Sequence, residues 1–118
     1  APSILKSHQN EFFGIDKDIP YMTEVLKIKK SKEKKIKGAV HVDGTCRLQS
    51  ISKELNPFYY ELIKEFYKLT KIPVLLNTSF NIKGMPILTT IEDALYCLDN
   101  TEMDYVVIEG WLFKRKGK

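Results

Sequence analysis

Apolar and polar positions in the first half of the chain predict two strands separated by a lysine-rich segment. Met22–Lys30 predicts one strand and Ile36–Gly44 predicts a second, in which Val42 should point into the core. Seven lysines and one glutamate occupy Lys27–Lys37, which we call the lysine-rich segment. We expect the two strands to pair antiparallel, with the lysines on a solvated tip where they also discourage edge-to-edge pairing. A shorter extended segment, Arg47–Ser52, follows.

The second half of the chain predicts two main helices. Asn56 can cap free backbone N–H groups and Pro57 fits a first helical turn, so one helix should begin here. Its core-facing side is predicted to carry the apolar residues that recur at helical spacing, Phe58, Leu62, Phe66 and Leu69. A second helix should begin with a capping box of Thr89 and Glu92 and should bury Ile91, Leu95 and Leu98.

Two apolar runs complete the predicted fold. Pro73–Phe80 is typical of a strand buried on both faces, and Asp104–Arg115 predicts a strand in which Gly110 marks a bulge or a tight hairpin. We therefore predict an α/β fold, with a mixed twisted β-sheet and two main helices packed on it. At 118 residues, 43% of them hydrophobic, the chain fits a single domain, residues 1–118.

The net charge of +4 comes from the lysine-rich segment. The chain has 19 basic and 15 acidic side chains, and 12 basic and 14 acidic ones remain outside this segment. Nucleic-acid-binding domains usually spread arginine and lysine over a face with aromatic residues between them, whereas this segment has no aromatic residue. A solvated surface is therefore favoured over contact with a phosphate backbone.

Several other classes of protein find no support in the sequence. Cys46 and Cys97 are too few for a disulfide framework and lack zinc-ligand spacing, which favours reduced thiols in a cytoplasmic protein. No apolar run approaches the roughly 20 residues that span a bilayer, and the first residues show no secretory signal. The common glycine-rich phosphate loops are absent, and we expect no metal site.

The first polar stretch, His41–Arg47, combines groups that suit an anion. In a regular strand His41, Asp43, Thr45 and Arg47 would share one side. The guanidinium of Arg47 is a planar fork that matches phosphate or carboxylate oxygens, and Thr45 adds a hydroxyl. Asp-Gly is also a common turn signal, so a hairpin turn with a surface arginine is the alternative.

The second polar stretch, Asn77–Asn81, ends an apolar strand. Asn77, Ser79 and Asn81 would share a side and present amide and hydroxyl groups to one spot. Ligand sites in open α/β sheets gather beyond the C-terminal ends of strands, although such side chains also close turns and cap backbone groups. We hypothesise that the two stretches line one site for an anionic ligand.

Several sequence blocks follow one another in an order that is specific to one family. They are IPYM, HVDGTCRLQSI, NPFYYELIKEF, PVLLNTSFNIKGMPI and IEDAL. Over residues 1–111 the chain resembles the C-terminal region of the nodulation-type and antibiotic-type carbamoyltransferases. The resemblance implies part of a YrdC-like domain, which uses carbamoyl phosphate and ATP, with Mg²⁺ on the nucleotide, to make carbamoyl-adenylate. An N-terminal transferase domain that carries iron would then pass the carbamoyl group to a hydroxyl.

The resemblance also implies roles for single residues. Arg47 and His41 would be the catalytic residues, with Arg47 gripping a phosphate. Ser79 and Asn81 resemble a Ser-x-Asn element beside nucleotide phosphates. The residues expected to bind the phosphate ligands are Thr45, Arg47, Asn77, Ser79 and Asn81.

The family pattern also includes parts that this sequence lacks. Full-length members carry a Gly-Pro-Arg-Ala-Leu-Gly type segment, further strands and the transferase domain before the equivalent of Ala1. We therefore expect an excised or truncated piece with little complete transferase activity alone. An incomplete sheet would expose an edge or an apolar patch through which the chain could associate with a second copy.

Two other functions remain open at this point. The chain could keep the fold as a non-catalytic ligand-binding or docking module. It could also bind RNA, because YrdC-like relatives modify tRNA, and binding through the lysine-rich segment would then depend steeply on salt.

Overall fold

The computed structural model describes residues 1–81, 84 and 86–117. These residues form two compact units, Ala1–Thr78 and Ser79–Lys118. Each unit has hydrophobic clusters of its own. The assignment of residues 1–118 to a single domain stays a prediction. Among the described residues, no helix has both the length and the apolar character needed to cross a membrane.

The first unit contains five short strands, two α-helices and two 3₁₀ segments. The strands are β1 (Pro2–Leu5), β2 (Val25–Lys27), β3 (Thr45–Arg47), β4 (Gln49–Ile51) and β5 (Val74–Leu76). The helices are α1 (Gln9–Phe13) and α2 (Pro57–Thr70), and the 3₁₀ segments are Lys6–His8 and Glu33–Ala39.

Strand β1 is the centre of a mixed three-stranded sheet. It pairs parallel with β4 and antiparallel with β5, so that Ser3 lies opposite both Gln49 and Leu75. The predicted α/β class with a mixed sheet is confirmed, but the strands form three small sheets instead of one. β5 lies at a sheet edge, and Leu76 is 59% exposed, so the expectation of a strand buried on both faces is wrong.

The predicted hairpin around the lysine-rich segment is also wrong. Glu33–Ala39 is a 3₁₀ segment, and β2 pairs antiparallel with β3, which places Leu26 opposite Cys46. Ile28 and Ile36 are both buried in the main hydrophobic cluster, so they fix the two ends of the segment. The lysines between them remain hydrated because burying a charge without a partner is costly.

Helix α2 begins where the sequence predicts, but it buries a different side. Asn56 is the N-cap residue and Pro57 is in the first turn. The buried side chain is that of Ile63, which packs with Tyr59, Tyr60 and Tyr67 against the sheet, while Phe58, Leu62 and Leu69 are 72%, 50% and 86% exposed. Tyrosine rings can fill a core while their hydroxyls stay near water, so Tyr59, Ile63 and Tyr67 form a second helical stripe that competes with the predicted one.

The second unit consists of one helix and one hairpin. Helix α3 is Ile91–Asn100, and strands β6 (Tyr105–Ile108) and β7 (Trp111–Lys114) pair antiparallel. Ala94 and Leu98 of α3 pack with Val106 of β6.

Two details of the second unit differ from the sequence prediction, whereas the predicted burial of Leu98 is confirmed. The α3 cap is Thr90, whose Oγ1 accepts a hydrogen bond from the Asp93 backbone N–H at 3.1 Å, one residue after the predicted capping box. Ile91 is 53% exposed instead of buried. The tight hairpin at Gly110 is confirmed, with φ of 84° at Gly110.

Candidate functional site

A cavity of about 250 Å³ in the first unit brings two of the predicted site residues together. His41 and Arg47 both line it, and we call it the His41–Arg47 cavity. The other lining residues come from the start of β1, the end of the 3₁₀ segment, β3 and β5; they are Ala1, Pro2, Gly38, Ala39, Val40, Cys46 and Leu76. The cavity therefore lies where four chain segments meet.

A tight turn carries His41 to the cavity. The His41 backbone N–H donates to the Thr45 carbonyl at 2.8 Å, and the Gly44 N–H donates to the His41 carbonyl at 2.9 Å. Gly44 has φ of 81°, a conformation that glycine adopts without steric cost. The Asp-Gly turn is thus what forms, and a regular strand that places residues 41, 43, 45 and 47 on one side does not. Val42, at the turn, is fully exposed and does not enter the core.

The hydroxyl of Thr45 is held by its neighbour in the turn. Its Oγ1 donates to Asp43 Oδ1 at 2.6 Å, and the Thr45 backbone N–H donates to the same oxygen at 3.0 Å. These two bonds lower the pKa of Asp43 below its ordinary value. Thr45 is not among the described residues that line the His41–Arg47 cavity, so its side chain contributes to the turn in this structure.

Arg47 is oriented by one backbone contact and remains exposed. Its Nη1 donates to the Met22 carbonyl at 3.2 Å. A guanidinium carries five N–H donors, so this bond restrains one nitrogen while other donors can face an anion. The arrangement is a partly preorganised cationic group at a cavity wall.

Asn77 takes part in a different network. Its Nδ2 donates to Gln49 Oε1 at 3.4 Å, and the same oxygen accepts from Ser3 Oγ at 3.0 Å. Gln49 in turn donates to the Pro20 carbonyl at 3.1 Å. Asn77 is not among the described residues that line the His41–Arg47 cavity. Ser79 and Asn81 belong to the second unit, and their roles, like the common site for both stretches, stay predictions.

The sequence reasoning missed Gln49 as the residue that links these strands. A signal was present, because Gln49 follows Arg47 at the two-residue period of a strand. For Cys46 the sequence predicts only a reduced thiol, whereas its buried side chain lies beside the cavity. Burial raises the pKa of Cys46 to about 11, so its thiol is protonated and unreactive at neutral pH.

The first unit is a small α/β unit in which an arginine and a histidine line one cavity. Comparison with known families shows which family the chain belongs to. A family model described as carbamoyltransferase C-terminus matches residues 1–115, and the chain belongs to this family. The resemblance seen in the sequence is thereby confirmed.

The curated relatives include several nodulation proteins. The chain is 39% identical to nodulation protein NolNO of Sinorhizobium fredii, 36% to nodulation protein NolO of Bradyrhizobium diazoefficiens and 34% to nodulation protein U of Rhizobium tropici. Each alignment covers 98% of this chain but 18%, 22% and 20% of the respective relative. The chain therefore spans about a fifth of the length of these relatives.

Proposed function

We propose that this chain is the C-terminal part of a cytoplasmic, ATP-dependent O-carbamoyltransferase. Its first unit would help to bind carbamoyl phosphate and ATP for the formation of carbamoyl-adenylate, with release of phosphate and pyrophosphate. An N-terminal transferase domain, which would carry iron, would be its partner. The observation that carries the proposal is the joint presence of Arg47 and His41 at one cavity in a member of the carbamoyltransferase C-terminal family.

In this proposal Arg47 grips a phosphate group and neutralises charge that grows during the reaction. Such a role suits phosphoryl chemistry, in which proteins mainly position anions and stabilise charge. His41 would donate a ring N–H to the same group. Thr45 and Asn77 would add neutral donors if ligand binding rearranges them, and the roles expected of Ser79 and Asn81 stay predictions.

The size of the cavity limits what it can hold. About 250 Å³ is below the roughly 300–1,000 Å³ typical of sites for drug-sized ligands. The space suits carbamoyl phosphate or one phosphate group of ATP, so the nucleoside would lie outside it.

The magnesium ion in this proposal remains on the nucleotide. Within the described part of the chain, no group of three or more His, Cys, Asp or Glu side chains is placed to hold a metal ion.

Calorimetry with ATP–Mg²⁺ and with carbamoyl phosphate tests the proposal. Arg47→Ala should weaken binding about 10- to 100-fold, since a hydrogen bond to a charged group contributes about 1.5–3 kcal/mol. Arg47→Lys should weaken it less, because it keeps the charge and loses the fork. Arg115→Ala is the matched control, because Arg115 also donates to a backbone carbonyl, that of Thr101, but lies in the second unit. Equal binding by wild type and Arg47→Ala would contradict the assigned role.

A second candidate is a docking module of the same fold without chemistry. It is favoured by the exposed apolar side chains Phe58, Leu62 and Leu69 on α2, which suit a protein surface more than water. Exchange of labelled pyrophosphate into ATP, in the presence of carbamoyl phosphate, separates the two. We expect exchange by a full-length protein that carries this chain and loss of exchange on Arg47→Ala, whereas a docking module would give no exchange at all.

A further inference from the structure

The lysine-rich segment forms a cationic depression that the proposed chemistry does not use. Lys30, Lys34 and Lys37 line a space of about 300 Å³, with Glu33 as the one carboxylate among its described lining residues. Lys27 and Lys30 line an adjoining depression beside the Asp43–Gly44 turn. Four ammonium groups are therefore gathered on one side of the first unit.

The carboxylates of Glu33 and Asp43 line the same two depressions, so these residues together carry a net positive charge. Outside this group, Lys32 pairs with Glu11 at 2.8 Å. In the part of the chain that the structure describes, no salt bridge joins Lys30, Lys34 or Lys37 to a carboxylate. The residues outside the lysine-rich segment carry 12 basic and 14 acidic side chains, so this segment is the main source of positive potential.

The depression and the His41–Arg47 cavity are joined by one short 3₁₀ segment. Lys37 directly precedes Gly38, which lies in the cavity wall together with Ala39. The segment is kinked at Ile36, where φ is −131° and ψ is 36°, so Lys37 is the lysine whose position relative to the cavity wall is fixed by the chain. Successive Cα atoms are about 3.8 Å apart, so the Lys37 backbone lies within the Debye length of about 10 Å at 0.1 M salt from Gly38 in the cavity wall.

We propose that the lysine-rich segment steers phosphate-bearing anions into the His41–Arg47 cavity without contacting them in the final complex. This inference rests on the proposed function, because it takes the cavity to be the destination. Clustered charge beside a cleft can raise association rates by about 10- to 1,000-fold at low salt, and the effect fades as salt rises. Steering therefore predicts a change in the association rate constant and little change in the dissociation rate constant.

Stopped-flow fluorescence of methylanthraniloyl-labelled ATP with Mg²⁺ tests this on a full-length protein that carries this chain. The test variant combines Lys30→Gln, Lys34→Gln and Lys37→Gln. The matched control combines Lys53→Gln, Lys64→Gln and Lys68→Gln, which remove the same charge on and next to α2. Phe66 of this helix lies beside Gly38 and Leu76, and Lys64 and Lys68, two positions before and after Phe66, lie on the opposite side of the helix.

The expected result is specific to steering. At about 20 mM salt the association rate constant should fall about 5- to 10-fold in the test variant and less than about 2-fold in the control, and the two should converge at about 300 mM salt. The dissociation rate constant should change by less than about 2-fold.

Normal association by the test variant would overturn the steering role alone. Faster dissociation that persists at high salt would overturn it too, because the lysines would then be direct contacts. Absence of labelled-ATP binding to the wild type would overturn both the steering role and the proposed function.

Discussion

The two polar stretches of this chain have similar side chains, but the fold supports them differently. In the first stretch, extended by one residue to Leu48, Cys46 and Leu48 are 1% and 0% exposed, and β3 is paired with β2. In the second stretch Phe80 is 37% exposed, and its carbonyl accepts from the Leu88 N–H at 3.0 Å in a loop. A polar stretch thus gains fixed geometry from the apolar residues interleaved in it, and the first stretch is the better candidate for preorganised anion binding.

Truncating the apolar residue in each stretch should give the largest contrast. Leu48→Ala should lower the free energy of unfolding by about 2–5 kcal/mol, because it removes a fully buried side chain and leaves a cavity. Phe80→Ala should cost about 1 kcal/mol or less by the same reasoning, since Phe80 is partly exposed. Urea denaturation measures both values, and equal losses would remove the contrast.

The Cys46 thiol reports how firmly the first stretch is buried. With a pKa raised from 9.0 to about 11, its thiolate fraction at pH 8 should be about 100-fold lower than in an unfolded chain. Iodoacetamide labelling followed by peptide mapping should therefore show at least this ratio between urea-unfolded and native protein. Fast labelling of native Cys46 would show that the stretch is open. Because the pKa is raised on folding, the protonated thiol contributes to stability below pH 9, and this contribution is lost as the pH rises towards 11.

The turn glycine of the first stretch should be sensitive to a methyl group. Gly44→Ala should cost about 1–2 kcal/mol, because φ of 81° is unfavourable for a residue with a Cβ although the added atom meets nothing closer than 3.9 Å. Gly38→Ala is the matched control, since its Cβ would meet nothing within 4 Å. We expect this control to be neutral or stabilising by about 0.4–1 kcal/mol. Thermal unfolding of both variants distinguishes backbone strain from a general effect of the methyl group.

Asn77 should matter less for stability than the turn. Its bond to Gln49 is long, at 3.4 Å, so Asn77→Ala should cost no more than about 0.5–1 kcal/mol. Urea denaturation provides the value. A loss of more than about 2 kcal/mol would show that the second stretch is held as firmly as the first.

Protonation of Asp43 in acid should lower the stability of the first stretch, and we expect this to be the smallest of the predicted effects. Because hydrogen bonds from Thr45 lower the Asp43 pKa below 3.8, the ionised carboxylate stabilises the fold above that value. The contribution disappears as the pH falls through the lowered pKa. The difference in urea midpoint between wild type and Asp43→Asn should therefore shrink between about pH 5 and pH 2. A constant difference across this range would contradict the role of the charge.

The sequence predicted where the helices lie better than which sides they bury. Proline at position 57 and threonine at position 90 mark helix starts through local chemistry, which acts within one turn. The buried side of α2 depends on which stripe fits Leu5 and Ile51 of the sheet. Tertiary packing decides which stripe is buried, and the spacing of apolar residues along the chain does not predict it.

The strand pairing was the least predictable part of the fold. β1 has only four residues. Its Ser3 lies opposite Gln49, which is 46 positions further along the chain, and opposite Leu75, which is further still. The lysine-rich segment was predicted to be a hairpin tip between two strands, but its two buried isoleucines, Ile28 and Ile36, anchor a segment that contains 3₁₀ turns instead. For the site, residue chemistry indicated Arg47 and His41, whereas the cavity walls at Gly38 and Leu76 follow from these distant pairings.

Nuclear magnetic resonance of the ¹⁵N-labelled chain tests the central claim most directly. During titration with carbamoyl phosphate and with ATP–Mg²⁺, the account predicts saturable shifts of the Arg47 Nε–H and of the His41 and Gly38 backbone amides. It also predicts that these shifts disappear in Arg47→Ala while the remaining spectrum is retained. Ligand binding that leaves all three signals unmoved in the wild type would contradict the account.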